Sequence, residues 1–144
     1  MVLSEGSETM YSNFTINYWI SREGSTGDNA RLVVDLGCLK TVDGFYLRNT
    51  HNAYRFNRAT QHFTLFSSKK IEVGWKPILK NAFPEMNPGE IEKTHFFPLA
   101  KNVEMRYVRF QVESYYKSAG GLHYIAEHVA GSGEGESYQG GTFL

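Results

Sequence analysis

The sequence is short of cysteine, of any charge excess and of long apolar runs. Its single cysteine, Cys38, can form neither an internal disulfide nor a thiolate zinc cluster by itself. Lys plus Arg number 15 and so do Asp plus Glu, leaving zero formal net charge at pH 7. The basic excess with which nucleic-acid-binding domains release counterions from phosphate is missing. Nucleic acid is therefore not an expected partner. No apolar run approaches the roughly 20 residues that span a bilayer, so no transmembrane segment is expected. The opening MVLSEGSETM has neither a basic start nor an apolar stretch, and no signal peptide is read there. The setting is extracellular if this is a mature or excised module and cytoplasmic otherwise.

Catalytic and metal signatures are missing as well. The five histidines, His51, His62, His95, His123 and His128, show no His-x-His or His-Glu-x-x-His spacing for zinc. His123 and His128 are five apart, which on a strand places them on opposite faces. There is no Gly-x-Ser-x-Gly elbow and no glycine-rich phosphate loop, and Cys38 has no neighbouring base in sequence. Cys38 reads as a small half-buried residue. No enzyme activity is expected. Asn13-Phe14-Thr15 is a glycosylation sequon, relevant only to a secreted chain.

What is abundant is aromatic side chain. Phe, Trp and Tyr make up 15% of the 144 residues, and 14 glycines supply turns. This balance predicts strands. Residues 1–30 are polar and turn-rich, with a short strand at Thr15–Ile20. Leu32, Val34 and Leu36 alternate in a strand that Gly37 ends, and Val42–Arg48 forms the next. In Thr60–Ser67, Phe63 and Leu65 share the core face with Phe66 opposite. Pro77 confines Trp75–Leu79 to a sheet edge, and residues 81–92 form a loop. Thr94–Leu99 and Met105–Val112 are strands, the latter with Val108, Phe110 and Val112 on one side. Leu122–Val129 closes the fold. Arg109 is expected to pair with a carboxylate such as Asp35 beside the core, Trp19 to be core, and Trp75 to cover the sheet. Seven or eight short strands predict a single all-β sandwich over residues 1–130, with a flexible Gly/Ser/Glu-rich tail over 131–144.

The order of these pieces resembles the discoidin, or coagulation factor 5/8 type C, family. These are galactose-binding-like jelly rolls that include carbohydrate-binding modules of family 32. The likeness rests on Tyr18-Trp19-Ile20-Ser21, on Leu32–Gly37 followed by Thr41–Phe45, and on Phe63–Ser68 followed by Gly74-Trp75-Lys76-Pro77. It continues in Arg106-Tyr107-Val108-Arg109-Phe110 and Ile125-Ala126-Glu127. The resemblance runs from about Tyr18 to Val129 and implies a jelly-roll β-sandwich that binds ligands, carbohydrate foremost, through loops at one end. It also implies a calcium site. Here Asp28, Asn29 and Glu127 are the only matching oxygen donors, because the family's Asn-x-x-Asp-Gly segment is replaced by Met10–Phe14. Calcium takes six to eight hard oxygens, so this set is partial.

The loop Arg48–Arg58 is the most loaded segment. Arg48, His51, Asn52, Tyr54, Arg55, Asn57 and Arg58 combine hydroxyl-recognising donors with an aromatic face that can stack on a pyranose. The alternative reading is a solvated loop anchored by Tyr54 and Phe56 packing inward. In the resemblance, loop Trp19–Asn29 and loop Tyr115–Gly121 flank it, with Tyr115 and Tyr116 as stacking platforms. The expected partner is a carbohydrate or glycoprotein. The alternatives are a protein partner or a phospholipid surface on the same fold.

Overall fold

The computed structural model describes residues 2–5, 7–12, 17–50, 57–87 and 89–132. The Asn13–Thr15 sequon, loop positions 51–56 and the tail from 133 lie outside them. The strands are β1 (Val2–Glu5), β2 (Ser7–Ser12), β3 (Asn17–Ser21), β4 (Arg31–Arg48), β5 (His62–Ser68), β6 (Lys76–Ala82), β7 (Thr94–Val112), β8 (Gly121–Leu122) and β9 (Tyr124–Val129). Among the described residues the single helical element is a 3-10 turn at Gly27–Asn29. A six-stranded antiparallel sheet runs β1-β4-β7-β5-β6, with β9 also on β4, and a three-stranded sheet runs β2-β3-β8.

The β4–β7 pair organises everything else. It runs from Arg31 opposite Gln111 to Arg48 opposite Thr94. Between the Asp35–Tyr107 and Lys40–Met105 partners, residues 36–39 of β4 face only Arg106, so the register breaks and the pair bends. Gly37 takes φ +94° there, which costs glycine little, and its amide donates to Asp35 Oδ1 at 2.8 Å. The bend returns both ends of β4 to one end of the molecule. Val112 N–H donates to Ala30 O, Glu113 N–H to His62 O, and Asn49 Nδ2 to Thr60 O. A long antiparallel pair rolled onto itself is a jelly roll, the fold class expected from the sequence.

The core is aromatic. Trp19, Phe45, Phe63, Phe83 and Phe110 are fully buried together with Leu32, Leu47, Leu65 and Val108. Phe63 sits at its centre, with ring centroids 5.0 Å from Phe83, 5.2 Å from Phe97 and 5.3 Å from Phe110. Pro77 lies on β6, the edge strand, and Phe63 and Leu65 point inward as their alternation predicts.

Four expectations need correction. The predicted strands at 31–36 and 42–48 are two halves of β4, and those at 94–99 and 105–112 are two halves of β7; register breaks look like strand ends in a sequence. The turn-rich opening holds β1 and β2 instead, because an edge strand needs backbone partners more than an alternating apolar face. Asp35 pairs with Arg106, not Arg109, because the break at 36–39 interrupts the alternation: Met105 and Val108 are both buried. Arg106 therefore swings to the bulge while Arg109 lies 4.3 Å over the Phe66 ring and 5.0 Å from that of Trp75. Finally, Cys38 is exposed at the bulge.

Candidate functional site

The rolled β4–β7 pair gathers three connections at one end. They are the segment after β3 through residue 30, residues 49–50 and 57–61 between β4 and β5, and residues 113–120 after β7. Backbone hydrogen bonds lace them together. Ser21 N–H donates to Gly120 O at 3.0 Å and Gly24 N–H to Ser118 O at 2.7 Å. Ala59 N–H donates to Ala119 O, Tyr116 N–H to Ala59 O, and Ser118 N–H to Asn57 O. Isolated bridges join Arg58 to Ala119 and Thr60 to Tyr115.

Buried polar side chains close this platform from beneath. Asn49 Oδ1 accepts from Thr50 N–H and Thr60 N–H, while its Nδ2 donates to Thr60 O at 2.9 Å. The Thr60 hydroxyl donates to Gly121 O at 2.7 Å and accepts from Gly121 N–H at 2.9 Å. Ser21 does the same for Gly120, at 3.0 Å each way. Buried polar groups must be paired, and here the pairing fixes the loop geometry. In the sequence Ser21 counts only as part of the Tyr18–Ser21 motif and Gly121 only as the end of the loop Tyr115–Gly121, and Thr50 and Thr60 carry no site role. The signal was the pair Gly120-Gly121: a Cβ on Gly121 would stand 2.9 Å from Trp19 O, and one on Gly120 would stand 2.7 Å from both Val112 methyls.

The sequence-predicted residues fall into three groups. Arg58 is 7% exposed, and its Nε donates to Ser21 O at 3.1 Å. The Tyr116 hydroxyl donates to Phe83 O at 2.7 Å, and burial, then Glu85, pushes its phenol up from the usual value. Both side chains brace the platform from within. Arg48, Asn57 and Tyr115 are half-buried at the same end. Arg48 Nε donates to Thr94 Oγ1 at 2.9 Å, and its guanidinium lies 4.9 Å from the Tyr124 ring. His51, Asn52, Tyr54 and Arg55 lie outside the described residues. Nearby, His123 Nδ1 is 2.5 Å from Glu92 Oε1, and its amide donates to Arg48 O.

The three calcium candidates are engaged differently. The Asp28 side chain is 84% exposed with Arg31 at 3.9 Å, and Asn29 is exposed beside it. The Glu127 carboxylate sits 2.6 Å from Lys40 Nζ, an interaction that raises the Lys40 pKa. Among the described residues, no three His, Cys, Asp or Glu side chains come together where they could hold a metal ion. No helix among them is long and apolar enough to cross a membrane.

The sequence model of the F5/8 type C domain matches residues 6–127. The chain belongs to the F5/8 type C domain family. This F5/8 type C domain is similar in structure to a family 32 carbohydrate-binding module, CBM32-1, from a family 31 glycoside hydrolase of Clostridium perfringens. That likeness has 12% identity and TM-score 0.65 and covers 89% of this chain and 92% of that one. A second similar structure is the family 32 module of NanJ from the same organism, solved in complex with galactose. It shares 8% identity at TM-score 0.59, over 77% of this chain and 75% of that one. A third is the pair CBM32-1 and CBM32-2 of ZmpB from that organism, in complex with GalNAc. Identity is 12% and TM-score 0.64, over 88% of this chain and 32% of that one. At these identities the likeness is one of fold. None of the curated proteins matches this chain significantly.

Proposed function

We propose that the domain is a non-catalytic carbohydrate-binding module whose site is the loop platform. The observation that carries this reading is the lacing of three separate connections into one braced surface at the end of the jelly roll. Arg48, Asn57 and Tyr115 are half-buried at this end, and His51, Asn52, Tyr54 and Arg55 belong in sequence to the same connection. An aromatic face covers the apolar side of a pyranose while Arg, Asn and His reach its hydroxyls, the guanidinium and amide two at a time. Arg58 and Tyr116 serve as supports for that surface and not as ligand contacts. The neighbours solved with galactose and with GalNAc make terminal galactose and GalNAc the first sugars to test. One small, wet site supports millimolar to micromolar affinity, about 4–8 kcal/mol.

The deciding experiment is a glycan array with the purified domain on a multivalent carrier, run with calcium and again with chelator. A reproducible hit that disappears in Tyr115→Ala and Arg55→Ala supports the reading. Loss with chelator would assign a calcium to the site, with Asp28 and Asn29 as the first donors to change. A blank array at high multivalent loading would refute carbohydrate binding.

A further inference from the structure

A concave surface lies at the opposite end of β5, about 20 Å from the platform for a seven-residue strand. It is a cleft of about 710 Å³ between the β5–β6 turn and residues 101–104 of β7, beside the register break between the Val42–Val103 and Gly44–Pro98 partners. Four of the chain's eight lysines line it, Lys69, Lys70, Lys76 and Lys101, against one carboxylate, Glu104. Glu104 is 3.1 Å from Lys69 Nζ. Among the described residues, no carboxylate pairs with Lys70, Lys76 or Lys101. In a chain of zero net charge, this is a local excess of three positive charges.

The wall carrying these lysines is built, not loose. The Ser68 hydroxyl, 4% exposed as a residue, lies 2.5 Å from the carbonyls of Lys70 and Val73 and accepts from Lys70 N–H. Gly74 closes the turn at φ +83°, and Trp75 Nε1 donates to Ile71 O at 3.0 Å. Between the lysines the lining combines an aliphatic strip of Val73, Pro77, Ile78 and Val103 with the polar side chains of Ser67, Ser68 and Asn102.

From this arrangement we infer that the cleft is a second binding site, for an anionic polysaccharide whose pyranose units carry carboxylate or sulfate. The ammonium groups repel one another until an anion sits among them, and the aliphatic strip accepts the C–H face of a sugar ring. The lining has no Phe, Tyr or Trp on which a nucleobase could stack, the feature that single-stranded nucleic acid sites use. This site stands apart from the platform and holds or fails independently of it.

The test is affinity electrophoresis of the full chain in gels containing polygalacturonate (carboxylate only), dextran sulfate (sulfate only) or neutral dextran, with a thymidine 20-mer as competitor. Retardation by one or both charged gels and not by neutral dextran is expected. Whichever polymer binds tighter names the anion. Lys70→Ser/Lys76→Ser/Lys101→Ser should weaken binding at least tenfold with an unchanged circular dichroism melt, and Tyr115→Ala should leave it intact. Between 50 and 200 mM salt, three released counterions predict a loss of about 30-fold. The proposal is overturned if neither charged polymer retards the protein, if the lysine variant binds like the parent, or if the thymidine oligomer competes as well as the polysaccharides.

Discussion

Asp35 and Arg106, 71 positions apart, meet in a two-toothed ion pair, with Nε to Oδ1 at 3.0 Å and Nη2 to Oδ2 at 3.1 Å. The pair clamps the bulge where β4 and β7 turn together. The guanidinium holds the Asp35 carboxyl below its ordinary value; partial burial works against this and the Gly37 amide adds to it. A carboxyl depressed by folding contributes stability above its unfolded pKa, about 3.9, and loses it as the pH falls through the folded value. Asp35→Asn should therefore melt below the parent at pH 7, and the gap should close progressively below about pH 4. Thermal melts of both proteins from pH 7 to pH 2 check this. A gap that stays constant would show that the pair does not hold the bend.

Gly121 cannot carry a side chain without moving Trp19 O or Thr50. Gly121→Ala should cost about 1–3 kcal/mol, the usual range for overpacking, or roughly 3–10 °C in Tm. Because the displaced groups belong to the platform, sugar binding should fall by more than the lost stability accounts for at 20 °C. Urea melts and array signals on the same samples separate the two effects.

Tyr115 and Tyr116 are neighbours with different tasks. Tyr116→Phe removes one hydroxyl that donates to Phe83 O and should cost about 1 kcal/mol in stability with binding retained. Tyr115→Ala should abolish binding with a smaller change in Tm. The reverse outcome would move the contact surface to the Tyr116 side.

Phe63 touches three other phenylalanines at the centre of the core. Phe63→Ala should destabilise by about 3–5 kcal/mol, a large part of the roughly 5–15 kcal/mol that holds a domain folded. Phe63→Leu should recover much of that loss. Denaturant midpoints for the two variants are the check.

The sequence carried most of the fold and part of the site. Period-two runs such as Val108, Phe110, Val112 and Phe63, Leu65 report their burial directly, because one face of each strand meets the core. Bends are harder: residues 36–39 look like a strand end, whereas they are a bulge inside one long strand, and only the partner strand reveals it. For the same reason the Asp35 partner was misread as Arg109. The convergence of three loops was legible through the family resemblance, yet the braces beneath them, Asn49, Thr60 and Ser21, were not. Polar residues there resemble ordinary loop residues until pairing partners are known. The lysine cleft draws on the β5–β6 turn and a stretch of β7 distant in sequence, so no local pattern marks it.

The rolled β4–β7 pair also sets a timetable. Apart from the contacts of residues 31–34 with β1, β4 finds its partners only when residues 94–112 and 124–129 have been made, so a growing chain holds most of that 18-residue strand unpaired until most of the domain exists. The β2–β3 and β5–β6 pairs are the pieces that can close early. With pairings this remote, refolding belongs in the millisecond-to-second range of all-β domains. A cut in the exposed turn at 69–74 should yield two fragments that find structure only in each other's company.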